Sequence, residues 1–138
     1  GEDVCKMSKI KSVEPLIVVK DVEISSKFYQ QVLGFESGHG GDEYEMLMSD
    51  GKMMLQLHHQ TETDHPGMWD AKTRVGNGAV LWFRTDDFDQ FVQRVQEAKV
   101  EIVAVPHINT SAQQHEIWFR DPDGYMVVVC DNMGDAKN

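Results

Sequence analysis

The stretch HEIWFRDPDGYMVVVC, from His115 to Cys130, decides the fold. Two apolar runs rich in strand-forming residues lie on either side of a polar tetrapeptide, Asp121 to Gly124. Aspartate, proline and glycine in this order predict a type I turn that is closed by a left-handed glycine. The stretch therefore predicts an antiparallel β-hairpin.

The sequence before this hairpin predicts a strand, a helix and a further strand. GAVLWFRTDD, from Gly78 to Asp87, is an apolar run that ends in aspartates suited to cap a helix. VEIVAV, from Val100 to Val105, predicts a short strand that Pro106 stops. Between these runs, apolar residues recur at helical spacing, at Phe88, Phe91, Val92, Val95 and Ala98.

The first half of the chain has the same order of elements. VEPLIVVKD, from Val13 to Asp21, predicts a buried strand whose last aspartate caps a helix. Gly34 is placed to end this helix in a left-handed conformation. The predicted helical stripe consists of Ile24, Phe28 and Val32. Two strands, Glu43–Ser49 and Met53–His59, then flank Asp50-Gly51, which is a strong hairpin signal.

The two halves therefore form an internal repeat of a strand, a helix and three strands. The predicted helix-opening aspartates, Asp21 and Asp86, are 65 positions apart. The hairpin glycines, Gly51 and Gly124, are 73 positions apart, and loop length explains the difference. The fold class is α+β, with two βαβββ modules in one domain over residues 1–138. Module one spans about residues 13–59, a polar loop covers 60–77, and module two spans about 78–130.

Composition excludes several classes of partner. The chain has 138 residues and a formal net charge of −10, which would repel phosphate backbones, so neither nucleic acid nor an anionic membrane is expected. No apolar run approaches the roughly 20 residues that a membrane span needs. Two cysteines do not make a disulfide framework, so we expect a reduced, cytoplasmic setting.

VVKDVEISSKFYQQVLGFE and WFRDPDGYMVVV resemble the vicinal oxygen chelate superfamily, which includes glyoxalase I, extradiol dioxygenases and bleomycin-resistance proteins. The resemblance covers both modules, from about Val13 to Cys130. It implies mixed sheets that curl around a central cavity, with the helices outside. It does not settle function, because this fold holds metal enzymes and metal-free binding proteins alike.

The alternation of side chains along strands predicts which residues face this cavity. On the strand Met53–His59, we expect Met53, Leu55 and Leu57 to pack on the helices and Met54, Gln56 and His58 to face the cavity. If Asp50-Gly51 is a two-residue turn, Glu45 and Leu47 face the cavity as well. In the last hairpin, Trp118 is expected opposite Val128 and Glu116 opposite Cys130. Two further sets share a face: Val80, Trp82 and Arg84, and Glu14, Leu16 and Val18.

The resemblance also implies four metal-ligand positions, two in each module. In this chain they hold Glu14, Gln56, Val80 and Val128. Valine has no lone pair to donate, so we expect the usual metal site to be missing and no cofactor to be bound. A rearranged site of Glu14, His58 and Glu116 remains an alternative, with zinc, nickel, manganese or iron as the divalent metal.

Three functions follow from this cavity. The first is a metal-free module that binds a small aromatic or cationic organic ligand. The second is a metal-dependent lyase, isomerase or dioxygenase that uses the rearranged site. The third is a metal-free enzyme with His58 as general base and Arg84 stabilising an oxyanion. A homodimer is expected, and the modules could pair within one chain or across the dimer. The predicted ligand-binding residues are Glu14, Gln56, His58, Trp82, Arg84, Glu116 and Trp118.

Overall fold

The computed structural model describes residues 9–60, 70, 72 and 76–132. Most of the predicted loop, namely residues 61–69, 71 and 73–75, lies outside the described residues. The elements in chain order are β1 (Leu16–Val19), α1 (Val22–Leu33), β2 (Glu36–Ser37), β3 (Tyr44–Ser49), β4 (Lys52–His59), β5 (Val80–Arg84), α2 (Phe88–Ala98), β6 (Ile102–Asn109), β7 (Gln114–Arg120) and β8 (Met126–Cys130).

The strands form two four-stranded mixed sheets with the same connectivity. Sheet A has the order β1-β4-β3-β2 and sheet B the order β5-β8-β7-β6. The pairs β1–β4 and β5–β8 are parallel, and the other pairs are antiparallel. The predicted α+β fold with a repeated βαβββ module is confirmed. In the described part of the chain, neither helix is long and apolar enough to cross a membrane.

Both helices begin and end near the predicted residues. The Asp21 carboxylate accepts a hydrogen bond from the Ile24 N–H, and Gly34 ends α1 with a φ of 71°. In the second module the cap is Asp87 rather than Asp86, because Phe88 is the first helical residue and is buried. The aspartate cap therefore recurs in both modules, one position later than the spacing indicated.

The buried face of α1 differs from the predicted stripe. Ile24 is 56% exposed, whereas Tyr29 is fully buried. The face of α1 that contacts the core also carries polar side chains, which form buried hydrogen bonds: Ser26 donates to Glu45, and the Tyr29 hydroxyl donates to Asp121. The predicted stripe is therefore wrong at Ile24, although Phe28 and Val32 do pack against the core.

The two modules share one hydrophobic core within a single chain. The helices contact each other, and their side chains join core residues from both sheets. Two buried hydrogen bonds cross between the modules: Tyr29 donates to Asp121, and the Tyr125 hydroxyl donates to the Val18 carbonyl. This packing covers one face of each sheet. We call the opposite face of each sheet, which bears no helix, its open face.

A β-bulge changes the predicted open face of sheet A. The two-residue turn is correct, because Ser49 pairs with Lys52, but the register then shifts so that Leu47 pairs with Leu55. Leu47 and Glu45 therefore lie on the helix side, where Leu47 is fully buried and Glu45 binds α1. The prediction that these two residues face the cavity is wrong, since one extra residue in a strand reverses the faces beyond it.

The same bulge affects the methionines at the start of β4. The predicted core stripe is confirmed at Leu55 and Leu57, but Met53 is not part of the core cluster. Met54, predicted to face the cavity, packs partly against that core and also lines a small cavity described below.

Pro106 does not stop β6, which continues to Asn109. The strand lies at the edge of sheet B, which is the position in a sheet that tolerates proline. Its register against β7 shifts twice, between Ile102 and Ala104 and between Ala104 and His107. This extension places His107 and Asn109 beside β7.

Candidate functional site

The open face of sheet B carries four of the seven predicted site residues. Val80, Trp82 and Arg84 alternate with Leu81 and Phe83, which pack into the core. The last hairpin has the predicted register, with Trp118 opposite Val128 and Glu116 opposite Cys130. In the parallel pair of β5 and β8, Trp82 also lies beside Val128. The sheet thus brings Trp82, Arg84, Glu116 and Trp118 to one surface.

Glu116 is the centre of a hydrogen-bonded group that we call the Glu116 cluster: Glu116, Gln114, Asn109 and Trp118. The Glu116 carboxylate is fully buried. One oxygen accepts from the Trp118 indole N–H at 3.0 Å, and the other accepts from the Asn109 and Gln114 amides, also at 3.0 Å. The His107 ring lies 3.7 Å from the first oxygen. Both carboxylate oxygens are therefore occupied by protein donors.

These contacts determine the charge of Glu116. Burial by itself raises the pKa of the carboxyl group, because it disfavours the charged form. Hydrogen bonds from Gln114, Trp118 and Asn109, together with attraction to His107, outweigh burial and hold the pKa of Glu116 below its usual range. Glu116 is therefore an anion at neutral pH.

The two tryptophans meet on this surface. Their ring centroids are 6.5 Å apart with an interplanar angle of 71°, an edge-to-face arrangement. The Trp82 N–H lies 3.1 Å from the Cys130 sulfur, and Trp82 remains 44% exposed. Cys130 is fully buried, and this burial raises the pKa of its thiol, as is typical of a packing cysteine.

Arg84 lies at the end of β5 and is exposed. Its Nη1 donates to the Gln114 side-chain oxygen at 2.9 Å and to the backbone carbonyl of Asp131. Gln114 in turn donates to Glu116, so the guanidinium is connected to the Glu116 cluster through a neutral amide.

A cavity of about 330 Å³ adjoins this surface and is lined by β5, the first half of β4 and the segment before β1. Its lining is mostly apolar and includes Pro15, Met54, Val80 and Trp82. This volume is at the lower end of the range for small-molecule pockets, roughly 300–1,000 Å³.

Of the other three predicted site residues, Gln56 and His58 lie on β4 of sheet A and Glu14 lies two positions before β1. The Gln56 side-chain oxygen accepts from the Tyr44 hydroxyl at 2.5 Å, and its amide donates to the Glu14 carbonyl at 2.9 Å. His58 is buried beside the Tyr44 ring, whereas the Glu14 carboxylate is exposed and accepts from Ser12. The predicted base His58 and the predicted oxyanion ligand Arg84 therefore lie on different sheets.

The residues at the four implied ligand positions do not fit a divalent metal. Val80 and Val128 have no donor atoms. The oxygen of Gln56 already accepts a hydrogen bond, and Glu14 is the one carboxylate of the four. Among the described residues, no group of three or more His, Cys, Asp or Glu side chains is arranged to hold a metal ion. The rearranged set of Glu14, His58 and Glu116 is divided between the two sheets.

Metal loading tests this directly. After dialysis against a chelator and resupply of zinc, nickel, manganese or iron, we expect the protein to retain less than about a tenth of an equivalent of each, because two positions lack a lone pair. Elemental analysis of the desalted protein measures this. Retention near one equivalent that Glu14→Gln, His58→Ala or Glu116→Gln abolishes would instead establish the rearranged site.

Sequence reasoning missed Gln114 and Asn109 near the open face of sheet B and Tyr44 on sheet A. Gln114 lies two positions before Glu116 on the same strand, so side-chain alternation alone could have found it. Asn109 lies beyond Pro106, where the sequence predicts the end of β6. Tyr44 was missed because the bulge between β3 and β4 has no clear signal in the sequence.

Comparison with known proteins identifies the family. Residues 9–129 match the family model of the Glyoxalase/Bleomycin resistance protein/Dioxygenase superfamily, which is most of the chain. The chain belongs to this superfamily. The predicted resemblance to the glyoxalase superfamily is confirmed.

The chain is similar to several proteins of known sequence or structure. Virulence protein STM3117 of Salmonella typhimurium is 24% identical over 116 residues, which are 83% of this chain and 78% of that protein. The integron cassette protein VCH_CASS1 of V. cholerae is 26% identical, with a TM-score of 0.70 over 91% of this chain and 98% of that one. A glyoxalase/bleomycin resistance protein/dioxygenase from Nocardioides is 18% identical, with a TM-score of 0.75 over 99% and 92%, which shows the fold alone.

Proposed function

We propose that this glyoxalase-superfamily protein binds a small organic ligand on the open face of sheet B, without a divalent metal. The observation that carries the proposal is the Trp82–Trp118 pair, in which an indole that is 44% exposed adjoins an apolar cavity. A tryptophan whose role was only to pack in the hydrophobic core would be buried from solvent. Aromatic walls with a few polar groups are typical of small-molecule sites.

The chemistry of this surface favours an aromatic or cationic ligand. Indole faces attract planar rings by stacking and cations through the ring quadrupole, with about 0.5–2 kcal/mol for a cation over a ring. Trp118 is held by Glu116 and Trp82 contacts Cys130, so both rings are oriented before a ligand arrives. Such preorganisation lowers the entropy cost of binding. The predicted homodimer and cytoplasmic location stay predictions.

A screen of small aromatic and cationic compounds tests the proposal. We expect binders to raise the melting temperature and change tryptophan emission, and Trp82→Ala to weaken them about tenfold, because it removes one wall of the site. Isothermal titration measures the affinities. Ile24→Ala, which removes a similarly exposed apolar side chain from α1, is the matched control.

Binders whose affinity is the same in Trp82→Ala and in the wild-type protein would contradict the proposal. A loss that Ile24→Ala also produces would point to a general effect on stability rather than to the site.

A further inference from the structure

The accessible charge on the open face of sheet B is positive, although the chain carries a net charge of −10. The anionic group of this face, Glu116, is fully buried and both of its oxygens accept hydrogen bonds from Trp118, Asn109 and Gln114. A cationic ligand cannot reach this carboxylate without displacing those donors. Two arginines flank the tryptophans on this face. Arg84 on β5 is exposed, whereas Arg120 at the end of β7 is half-buried and lies 4.0 Å from the Glu101 carboxylate.

Arg84 lacks a carboxylate partner within the described chain. None of the ion pairs among these residues includes it. Its two hydrogen bonds, to Gln114 and to the Asp131 carbonyl, both use Nη1 and neutral acceptors. The other edge of the guanidinium, with the N–H groups of Nε and Nη2, is the edge that binds a carboxylate through two parallel hydrogen bonds.

Gln114 lies between Arg84 and Glu116 and keeps the positive charge of Arg84 from pairing directly with the carboxylate. Its amide donates to Glu116 and its carbonyl oxygen accepts from Arg84, so it separates the two charges while orienting the guanidinium. A direct ion pair between Arg84 and Glu116 would have neutralised both groups. The side chain of Asp131 is also occupied, because its two oxygens bind the backbone N–H and the ring of His115.

Trp82 and Arg84 are two positions apart on one face of β5, a separation of about 6.6 Å along the strand. An aromatic ring against Trp82 would therefore place a carboxylate on a short linker within reach of Arg84. The excess acidity of the rest of the molecule opposes an anion only weakly, because exposed charges are screened over about 8 Å at physiological ionic strength.

We infer that the ligand of this site is an aromatic carboxylate, with its ring against Trp82 and its carboxylate bound by the Arg84 guanidinium. This inference rests on the proposed function and narrows its ligand class from aromatic or cationic compounds to aromatic anions.

Three matched probes test the inference by isothermal titration: naphthylacetate, naphthylacetamide and naphthylethylamine. They share one ring system and a similar linker, and differ in charge. We expect the carboxylate to bind about tenfold more tightly than the amide, and the amine to bind most weakly. The preference should shrink in high salt. Arg84→Met should abolish the preference for the carboxylate over the amide. Arg84→Lys should retain only part of this preference, because lysine keeps the charge but lacks the planar fork.

Lys27→Met is the matched control, since it removes one positive charge from the exposed surface of α1 and should leave the preference unchanged. Equal binding of carboxylate and amide, or a preference that persists in Arg84→Met, would overturn the inference. If Trp82→Ala still weakens all three probes in that case, the proposed function stands. Tightest binding of the amine, lost in Glu14→Gln, would assign a cationic ligand instead. No binding of any probe would contradict the proposed function and the inference together.

Discussion

Asp121→Ala is expected to lower the free energy of unfolding by about 3 kcal/mol or more. It leaves two buried donors, the Tyr29 hydroxyl and the Tyr125 N–H, without partners at about 1–3 kcal/mol each. One Asp121 oxygen accepts from the Tyr29 hydroxyl at 2.8 Å, and the other accepts from the N–H groups of Asp123 and Tyr125. Asp121 and Tyr29 are both buried. The change therefore breaks both the turn of the last hairpin and a contact between the modules. Urea denaturation followed by circular dichroism measures the effect.

Asp42→Ala is the matched control, because it removes the same side chain from an exposed position and should change stability by no more than about 0.5 kcal/mol. A double-mutant cycle with Tyr29→Phe isolates the bond between the modules. Tyr29→Phe should cost less in the Asp121→Ala background than alone, since its hydroxyl has no acceptor there, with a coupling of at least about 1 kcal/mol. Additive costs would show that the Tyr29–Asp121 contact does not hold the modules together.

The features that the sequence predicted correctly are those set by local chemistry. Asp21 and Gly34 bound α1 because their side-chain and backbone preferences act within one turn of helix. The hairpin at Gly124 fixed the pairing of Trp118 with Val128, because a short turn leaves few alternative registers. Glu116 and Trp118 follow from that one register, and Trp82 and Arg84 follow from alternation along β5.

The features that it predicted wrongly depend on distant partners. The bulge between β3 and β4 reversed Leu47 and Glu45, and Glu45 is held on the helix side by Ser26 of α1. Pro106 is tolerated because β6 is an edge strand, which only the sheet order reveals. The division of Glu14 and Glu116 between two sheets likewise depends on how the modules pack, and this packing has no local signature in the sequence.

Glu116→Ala is expected to be as damaging as Asp121→Ala, because the Glu116 cluster would lose its acceptor. The amides of Asn109 and Gln114 and the indole N–H of Trp118 would be left to find water or stay unpaired. We expect a loss of about 3 kcal/mol or more in the free energy of unfolding. We also expect a change in tryptophan emission in the folded state, since Trp118 would no longer be held. Urea denaturation and fluorescence spectra measure these two effects.

Glu116→Gln separates the charge of this carboxylate from its shape. The pKa of Glu116 is lower in the folded protein than in the unfolded chain, so the unfolded chain takes up a proton first as the pH falls. The stability that Glu116 contributes is therefore present above about pH 4.3 and is lost as the pH falls below it. We expect the glutamine variant to be less stable than the wild-type protein at pH 7 and to lose less stability between pH 5 and pH 3.5. Part of the fall should remain, because hydrogen bonds from Gly40, Ser37, Ser26 and His39 outweigh burial and lower the pKa of Glu45 as well.

Urea denaturation at each pH, with the exposed Glu23→Gln as control, measures this difference. A glutamine variant with the full acid sensitivity of the wild-type protein would show that Glu116 is not held as an anion. The open face of sheet B would then contain no fixed negative charge behind Trp118. Among the described residues of β5 and the Glu116 cluster, Arg84 would be the one charged group that a ligand meets. The preference for naphthylacetate over naphthylacetamide should persist in the glutamine variant, because the guanidinium edge that binds the carboxylate does not contact Glu116.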